Sequence, residues 1–317
     1  MKIQLIGGSG FVGSRLISDY GTEKFENLDK NKSIFFNNIT RFCDITKPSS
    51  IKLNPKCTTV ILLAAEHADN VKPISLYYDV NVNGTKNVLE KMDEVGIKKL
   101  IFTSSVAVYG LNKDNPNENH KVDPFNHYRK SKFEAEKIIR DWFNNDPKNK
   151  SVTIIRPTVI FGENNRGNIY NLLKQISRGR FIMIGKGKNK KSMAYVGNVS
   201  SFINCIINNR DSGLNVYNYS DKPDFTMNEI VFLIRANLGI KNFNFFVPYP
   251  VGLLAGYFFD FMSFIFRKKF SISSVRIKKF TSTTRFDSKR ALSFFTPPVK
   301  LDDAMKITID YEFKNNS

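Results

Sequence analysis

Short apolar runs alternate along the 317-residue chain with stretches whose apolar positions recur at helical spacing. Lys2-Ile3-Gln4-Leu5-Ile6 reads as a first strand and Phe25-Glu26-Asn27-Leu28-Asp29 as a second. Val60-Ile61-Leu62-Leu63-Ala64-Ala65 is a continuous apolar run, the signature of a parallel strand buried on both faces. Lys99-Leu100-Ile101-Phe102 and Val152-Thr153-Ile154-Ile155 are further strands of that type. Helical patterns separate them, over Arg15–Tyr20, Val80–Val95 and Phe133–Phe143. This alternation predicts an α/β fold, a Rossmann-type doubly wound parallel sheet that binds ligands at the C-terminal ends of its strands. The length fits such a domain over residues 1–157, with a returning piece at about 194–218, and a smaller interleaved substrate-binding part from 158–193 and 219–317.

Gly7-Gly8-Ser9-Gly10-Phe11-Val12-Gly13 lies between the first strand and the first helix, an order that seats a pyrophosphate on a helix N-terminus. Gly7 permits the tight turn, Gly10 lets backbone amides approach phosphates, and Gly13 lets helix and strand pack closely. Asp29 ends the second strand, where a carboxylate accepts from adenosine ribose hydroxyls and repels a 2′-phosphate, favouring NAD over NADP. Asp44-Ile45 is placed to border the adenine pocket. Further on, Tyr128 and Lys132 are four residues apart, so a helix stacks them on one face. An ammonium beside a phenol favours the phenolate and lowers a pKa that is otherwise about 10. Such a tyrosine can exchange a proton with a sugar hydroxyl near neutral pH. Ser105, at the end of Phe102-Thr103-Ser104-Ser105, offers a hydroxyl to the same substrate oxygen. Alone, the tyrosine–lysine spacing is common on solvated helices; the strand, glycine turn and helix before it give it meaning.

The Gly7–Gly13 turn, Asp29, Asp44-Ile45, Leu63-Ala64-Ala65, Asn81-Val82-Asn83-Gly84-Thr85, Ser105, Tyr128 with Lys132, and Arg156-Pro157 together resemble the extended short-chain dehydrogenase/reductase family. The resemblance implies that Tyr128 is the acid/base, Lys132 holds the nicotinamide ribose and tunes Tyr128, and Ser105 bonds the reacting oxygen. It also places Phe11, Val12, Leu63, Ala64, Ala65, Asn81 and Pro157 beside the NAD cofactor. Longer stretches, among them Ser104–Lys113, Asp123–Tyr128, Ile155–Gly162, Lys191–Asn198 and Ser273–Phe280, resemble one subgroup of sugar 4-epimerases. That subgroup acts on N-acetylglucosamine joined through a diphosphate to undecaprenol, for O-antigen assembly in lipopolysaccharide. The implied reaction is an isomerisation at C4 through a transient 4-keto sugar, with NAD retained and no net redox change. Three other readings share the residues: a nucleotide-sugar 4-epimerase, a nucleotide-linked 4-keto-6-deoxy-sugar reductase, and a non-catalytic dinucleotide sensor. Sensors commonly lose the tyrosine or lysine, and both are present here.

One position departs from the nucleotide-sugar pattern. Soluble 4-epimerases of the family carry Arg-x-x-Asn, whereas this chain has Arg156-Pro157-Thr158-Val159, and valine cannot donate to a phosphate oxygen. Candidate replacements are Arg166, beside a helix start near Asn168, and the Lys186–Lys191 run, with Lys191 nearest the following strand. Without the resemblance that run reads as a solvated loop.

The net charge of +19 attracts nucleic acid, anionic lipid or a phosphorylated substrate. No nucleic-acid module is recognisable and the basic residues are spread, so an anionic membrane surface is the better match. Phe245–Phe266 carries Asp260 as its only charge and is followed by Arg267-Lys268-Lys269. A helix from Pro250 would reach ~25 Å, short of a comfortable span. Leu253, Leu254, Tyr257, Phe258, Phe261, Met262 and Ile265 share one face, and Gly252, Gly256, Asp260 and Ser263 the other. The pattern predicts an interfacial or monotopic helix, with a buried core helix as the alternative. The expected location is the cytoplasmic face of the inner membrane, since Met1-Lys2 runs straight into the first strand and no signal peptide is expected. The chain is expected to work alone or as a homodimer. Cys43, Cys57 and Cys205 form no close pair, and neither they nor the three histidines have metal-ligand spacing. His67 and His127 flank the proposed site as structural groups.

Overall fold

The structure, a computed structural model, describes residues 2–314 apart from 69–70, 112, 210–211, 242–244, 268–269 and 271. Lys268 and Lys269 of the expected basic cluster, and Asn112, lie outside the described residues. The first half runs β1 (Ile3–Ile6), α1 (Phe11–Tyr20), β2 (Phe25–Asp29), β3 (Thr40–Phe42), β4 (Thr59–Leu62), α2 (Ser75–Tyr78), α3 (Gly84–Val95), β5 (Lys99–Thr103), α4 (His127–Asn144) and β6 (Ser151–Pro157). Then come β7 (Val159–Phe161), α5 (Asn168–Ser177), β8 (Met183–Ile184), β9 (Lys190–Tyr195), α6 (Val196–Asn208), β10 (Gly213–Tyr219), β11 (Asp221–Thr226) and α7 (Met227–Asn237). The chain closes with β12 (Phe246–Val247), α8 (Tyr249–Phe266), α9 (Ser274–Thr281), α10 (Lys289–Leu292) and α11 (Leu301–Ile309).

Among the described residues, seven parallel strands form one sheet in the order β10-β6-β5-β4-β1-β2-β3. The order reverses between β1 and β4, which opens a crevice beyond their C-terminal ends. Apolar side chains alternate to both faces of the sheet. Leu62, Leu100 and Phe102 pack with Val88, Leu89 and Ala135 from α3 and α4, while Leu5, Ile61 and Ile101 pack with Leu16, Val199 and Phe202 from α1 and α6. Burial on both sides is why these strands read as unbroken apolar runs. The run beginning at Val60 nevertheless leaves the ladder early. The Leu63 and Ala64 amides both donate to the Ile6 carbonyl, at 2.8 and 3.0 Å, so Leu63–Ala65 form the crevice wall rather than strand.

Helix α4 starts six residues before its apolar pattern does, because the Asn126 side chain caps it by accepting from the Arg129 amide at 3.0 Å. A smaller sheet, β11-β9-β7, carries the C-terminal part, whose core joins Leu173, Ile230, Ile234, Leu301 and Met305. Helix α8 is no core helix. Only Gly252 and Gly256 are buried, and a Cβ on Gly256 would stand 2.8 Å from the Ser274 Cα of α9. The Ser274 amide donates to Asp260 at 3.2 Å. Leu254, Tyr257, Phe258, Phe261, Phe264 and Ile265 turn the opposite way, into solvent.

Candidate active site

The glycine turn leaves β1 with Gly7 at φ +87°, a conformation that disfavours other residues, and a Cβ there would lie 2.4 Å from the Ala64 nitrogen. The turn is thereby pressed against the wall formed by Leu63, Ala64 and Ala65. A Cβ at Gly13 would meet the Gly8 Cα at 2.4 Å, so α1 packs directly onto its own turn. Gly10 is the N-cap of α1 and is solvent-exposed, with no side-chain cap and no acid in the first turn. No side chain among the described residues caps the first amides of α1, and uncapped helix-start amides are the donor set of an anion site. Phe11 and Val12 open the helix and pack towards the C-terminal core. Across the turn, Asp29 accepts from the Ser9 amide at 3.0 Å and the Asn31 amide at 2.8 Å, fixing a carboxylate at the rim. Asp44 accepts from the Thr46 amide and hydroxyl at 3.0 and 2.7 Å, and Ile45 packs against Gly84.

Three polar side chains project from one face of α4 at successive four-residue steps: Tyr128, Lys132 and Glu136. Lys132 is 3 % exposed and donates to the Thr103 carbonyl at 2.7 Å, at the end of β5. Burial pushes its pKa down to about 7, while Glu136 one turn further on works in the opposite sense. Glu136 is wholly buried; it accepts from Ser104 at 2.5 Å and from Arg156 at 2.9 and 2.5 Å. Arg156 also donates to Tyr109 at 2.7 Å, and Tyr109 donates to Asn218 at 2.8 Å. Burial works against the Arg156 charge, yet the bonds to Glu136 and Tyr109 outweigh it and hold the guanidinium protonated.

Ser105 follows directly on Thr103 and Ser104, the residues that Lys132 and Glu136 grip. Its Oγ accepts from the Ala107 amide at 3.1 Å, which leaves the O–H to be donated elsewhere. Tyr128 is half-buried, its ring 6.3 Å from that of Tyr77, and neighbouring His127 meets the Tyr78 hydroxyl at 3.1 Å. The structure thus brings Lys132 and Ser105 to the exit of β5, with Tyr128 one turn before Lys132 on α4.

Other candidates fare differently. Asn81 is buried and tied to Glu66, accepting from its amide at 2.8 Å and donating to its carbonyl at 2.9 Å, while also donating to Ser131 at 2.9 Å. It braces the exit of β4 against α4. Arg166 is turned onto Glu312, at 2.8 and 2.9 Å, and stacks over Tyr170, so its charge is already matched. Lys191 donates to the Lys279 and Ser282 carbonyls at 3.0 and 2.5 Å. Pro157 ends β6 and Val159 opens β7 half-exposed. Between them the buried Thr158 hydroxyl has no partner among the described residues. Sequence reasoning passed over Thr158 and the Glu136–Arg156 pair; the latter was detectable as a third step in the Tyr128, Lys132 spacing. The open first amides of α1, the glycine contacts no Cβ could enter, the rim carboxylate and the unsatisfied hydroxyl together fit a bound dinucleotide with a sugar alongside.

Residues 3–219 match the model of the NAD dependent epimerase/dehydratase family. The chain is 53 % identical over 98 % of its length, and 95 % of the relative's, to the N-acetyl-alpha-D-glucosaminyl-diphospho-ditrans,octacis-undecaprenol 4-epimerase of Escherichia coli O157:H7. It is 27 % identical over 97 % of its length, and 94 % of the relative's, to the UDP-glucose 4-epimerase of Vibrio cholerae. Among solved structures, UDP-glucuronic acid 4-epimerase from Bacillus cereus in complex with NAD superposes with a TM-score of 0.76 at 18 % identity, each chain covered in full. On the match of its first two thirds, and on the near full-length relative, the chain belongs to the NAD dependent epimerase/dehydratase family.

Proposed function

We propose that the chain is an NAD-dependent sugar 4-epimerase that interconverts N-acetylglucosamine and N-acetylgalactosamine carried on undecaprenyl diphosphate, and that it works at the cytoplasmic face of a membrane. The observation that carries this reading is the 53 % identity to the undecaprenol-linked epimerase, which extends through both parts of the chain. The amides of the Gly7–Gly13 turn, Asp29 and Lys132 would hold the dinucleotide. Bound NAD supplies the hydride acceptor and donor that sugar C4 needs. Tyr128 takes the proton from the sugar O4 and returns it after the carbonyl has turned its other face. The Ser105 O–H donates to the same oxygen. Lys132, when protonated, favours the phenolate form of Tyr128. The grip of Glu136 and Lys132 on Ser104 and Thr103 keeps that hydroxyl and α4 in fixed relation. Valine at position 159 supports a substrate other than a sugar nucleotide.

The membrane location is supported by the exposed apolar face of α8 and by Arg276, Lys278 and Lys279 on the adjoining α9. The test offers purified protein lipid-linked and nucleotide-linked N-acetylglucosamine in parallel without added cofactor. Conversion of the lipid-linked form is expected. Conversion of the nucleotide-linked form alone would overturn the substrate assignment, and activity only with NADH and a keto sugar would make the enzyme a reductase.

A further inference from the structure

Between the α8–α9 hairpin and the turn from β8 to β9 lies an open cavity of about 550 Å³. Its lining includes Lys186 and Lys188 of the turn, Tyr249 at the start of α8, and Lys278, Thr281 and Ser282 at the end of α9, and no Asp or Glu among the described residues. The turn is held rigidly. The Asn228 side chain donates to the Lys186 carbonyl at 2.8 Å, the Asn228 amide donates to the Gly187 carbonyl at 3.0 Å, and the Gly185 amide donates to the Val247 carbonyl at 2.8 Å. Both turn lysines are left exposed. Lys278 lies against α8, donating to the Tyr257 hydroxyl at 3.0 Å. Beneath the cavity, Lys191 is withdrawn from water and bonded to two neutral carbonyls, those of Lys279 and Ser282. Burial pushes its pKa down to about 8, with no carboxylate to oppose the fall. Cations converge here with no carboxylate in the described lining, and cavities of this composition take phosphate groups.

Position adds to composition. Met193 on β9 pairs with Val159, two residues beyond Pro157 at the catalytic edge of the large sheet. The strand rises about 3.3 Å per residue, so Asn189 at the cavity lies ~13 Å along β9 from Met193. On its other side the cavity opens beside Tyr249, where the exposed apolar face of α8 begins.

We propose that this cavity binds the diphosphate of a polyprenyl-linked sugar, with the prenyl chain leaving along α8. The assignment rests on the lipid-linked reading of the substrate. It accounts for the valine at position 159, since the diphosphate is held from the β8–β9 turn and α9 instead of from the end of β6.

The test uses the full-length protein, wild type and the Lys186→Ser/Lys188→Ser double variant, whose changes lie on exposed side chains. Calorimetry with farnesyl diphosphate reads the cavity without turnover, and steady-state kinetics with the lipid-linked sugar separates KM from kcat. The double variant is expected to weaken farnesyl diphosphate binding and raise KM about 30-fold, the scale of two basic residues at an anionic group, with kcat within about twofold. Unchanged farnesyl diphosphate affinity in the variant would overturn the proposal. So would UDP competing as well as farnesyl diphosphate on the wild type, or a parallel loss of binding to phosphatidylglycerol vesicles, which would reduce the lysines to a general surface charge. Failure of the wild type to convert the lipid-linked sugar would instead overturn the substrate assignment, because farnesyl diphosphate binding is measured independently of it.

Discussion

Replacing Phe258 and Phe261 by serine tests the proposed role of α8 directly. The two side chains are 57 % and 60 % exposed and lie opposite Gly252 and Gly256, the residues that pack the helix onto the protein. An aromatic side chain offers ~200 Å², so each ring presents about 120 Å² to water. If half of that area enters the apolar layer of a bilayer, at about 25 cal/mol per Å² the pair contributes about 3 kcal/mol. The double variant should therefore partition onto vesicles about 10²-fold more weakly. Cosedimentation with vesicles of mixed phosphatidylcholine and phosphatidylglycerol measures this, with NAD content and thermal midpoint as controls. Both controls should match the wild type, because the rings leave the fold's own contacts at Gly252 and Gly256 untouched. Partitioning unchanged within a factor of about two, with both controls intact, would refute the reasoning, since that area would then contribute nothing at the membrane.

Three further outcomes follow from the site. Tyr128→Phe should lower turnover by about 10³-fold while retaining NAD, measured by kcat and by cofactor content after denaturation; full activity would remove the acid/base role. Glu136→Ala leaves the buried Arg156 charge without its partner and should destabilise the fold by about 3–5 kcal/mol in denaturant unfolding. A pH series reports on Lys132, whose folded pKa of about 7 lies below its ordinary value of 10.5. Between those values the unfolded chain binds the extra proton, so stability rises with pH, by up to about 1.4 kcal/mol per unit from this group. It is lost again as pH falls towards 7. Lys132→Met should flatten that slope in thermal or denaturant unfolding of the NAD-free protein between pH 7 and 9.

Local chemistry made much of this molecule legible. The glycine turn after a strand, the carboxylate at Asp29 and the Tyr128, Lys132 pair are each specified within a few residues, because helix and strand geometry fix who faces whom over that range. The first two turns of α4 were invisible to hydrophobic periodicity for the same reason that they matter: their inward side chains are polar. Val60–Ala65 showed the converse limit. An apolar run declares burial but does not say where a ladder ends, and there the two amides bonding to Ile6 decided it. Arg166 looked available for phosphate only because its partner Glu312 is 146 residues away in sequence.

The sequence by itself determined the strand and helix alternation, the phosphate-seating turn, the stacking of phenol and amine, and the two unlike faces of α8. Only the tertiary structure decided which face of α8 meets solvent, which cations converge on the β8–β9 turn, and which buried carboxylate clamps Ser104 to Arg156. Those outcomes depend on contacts between segments far apart in the chain. Burial, and with it the protonation of Lys132 and Lys191, belongs to the packed whole rather than to any local stretch.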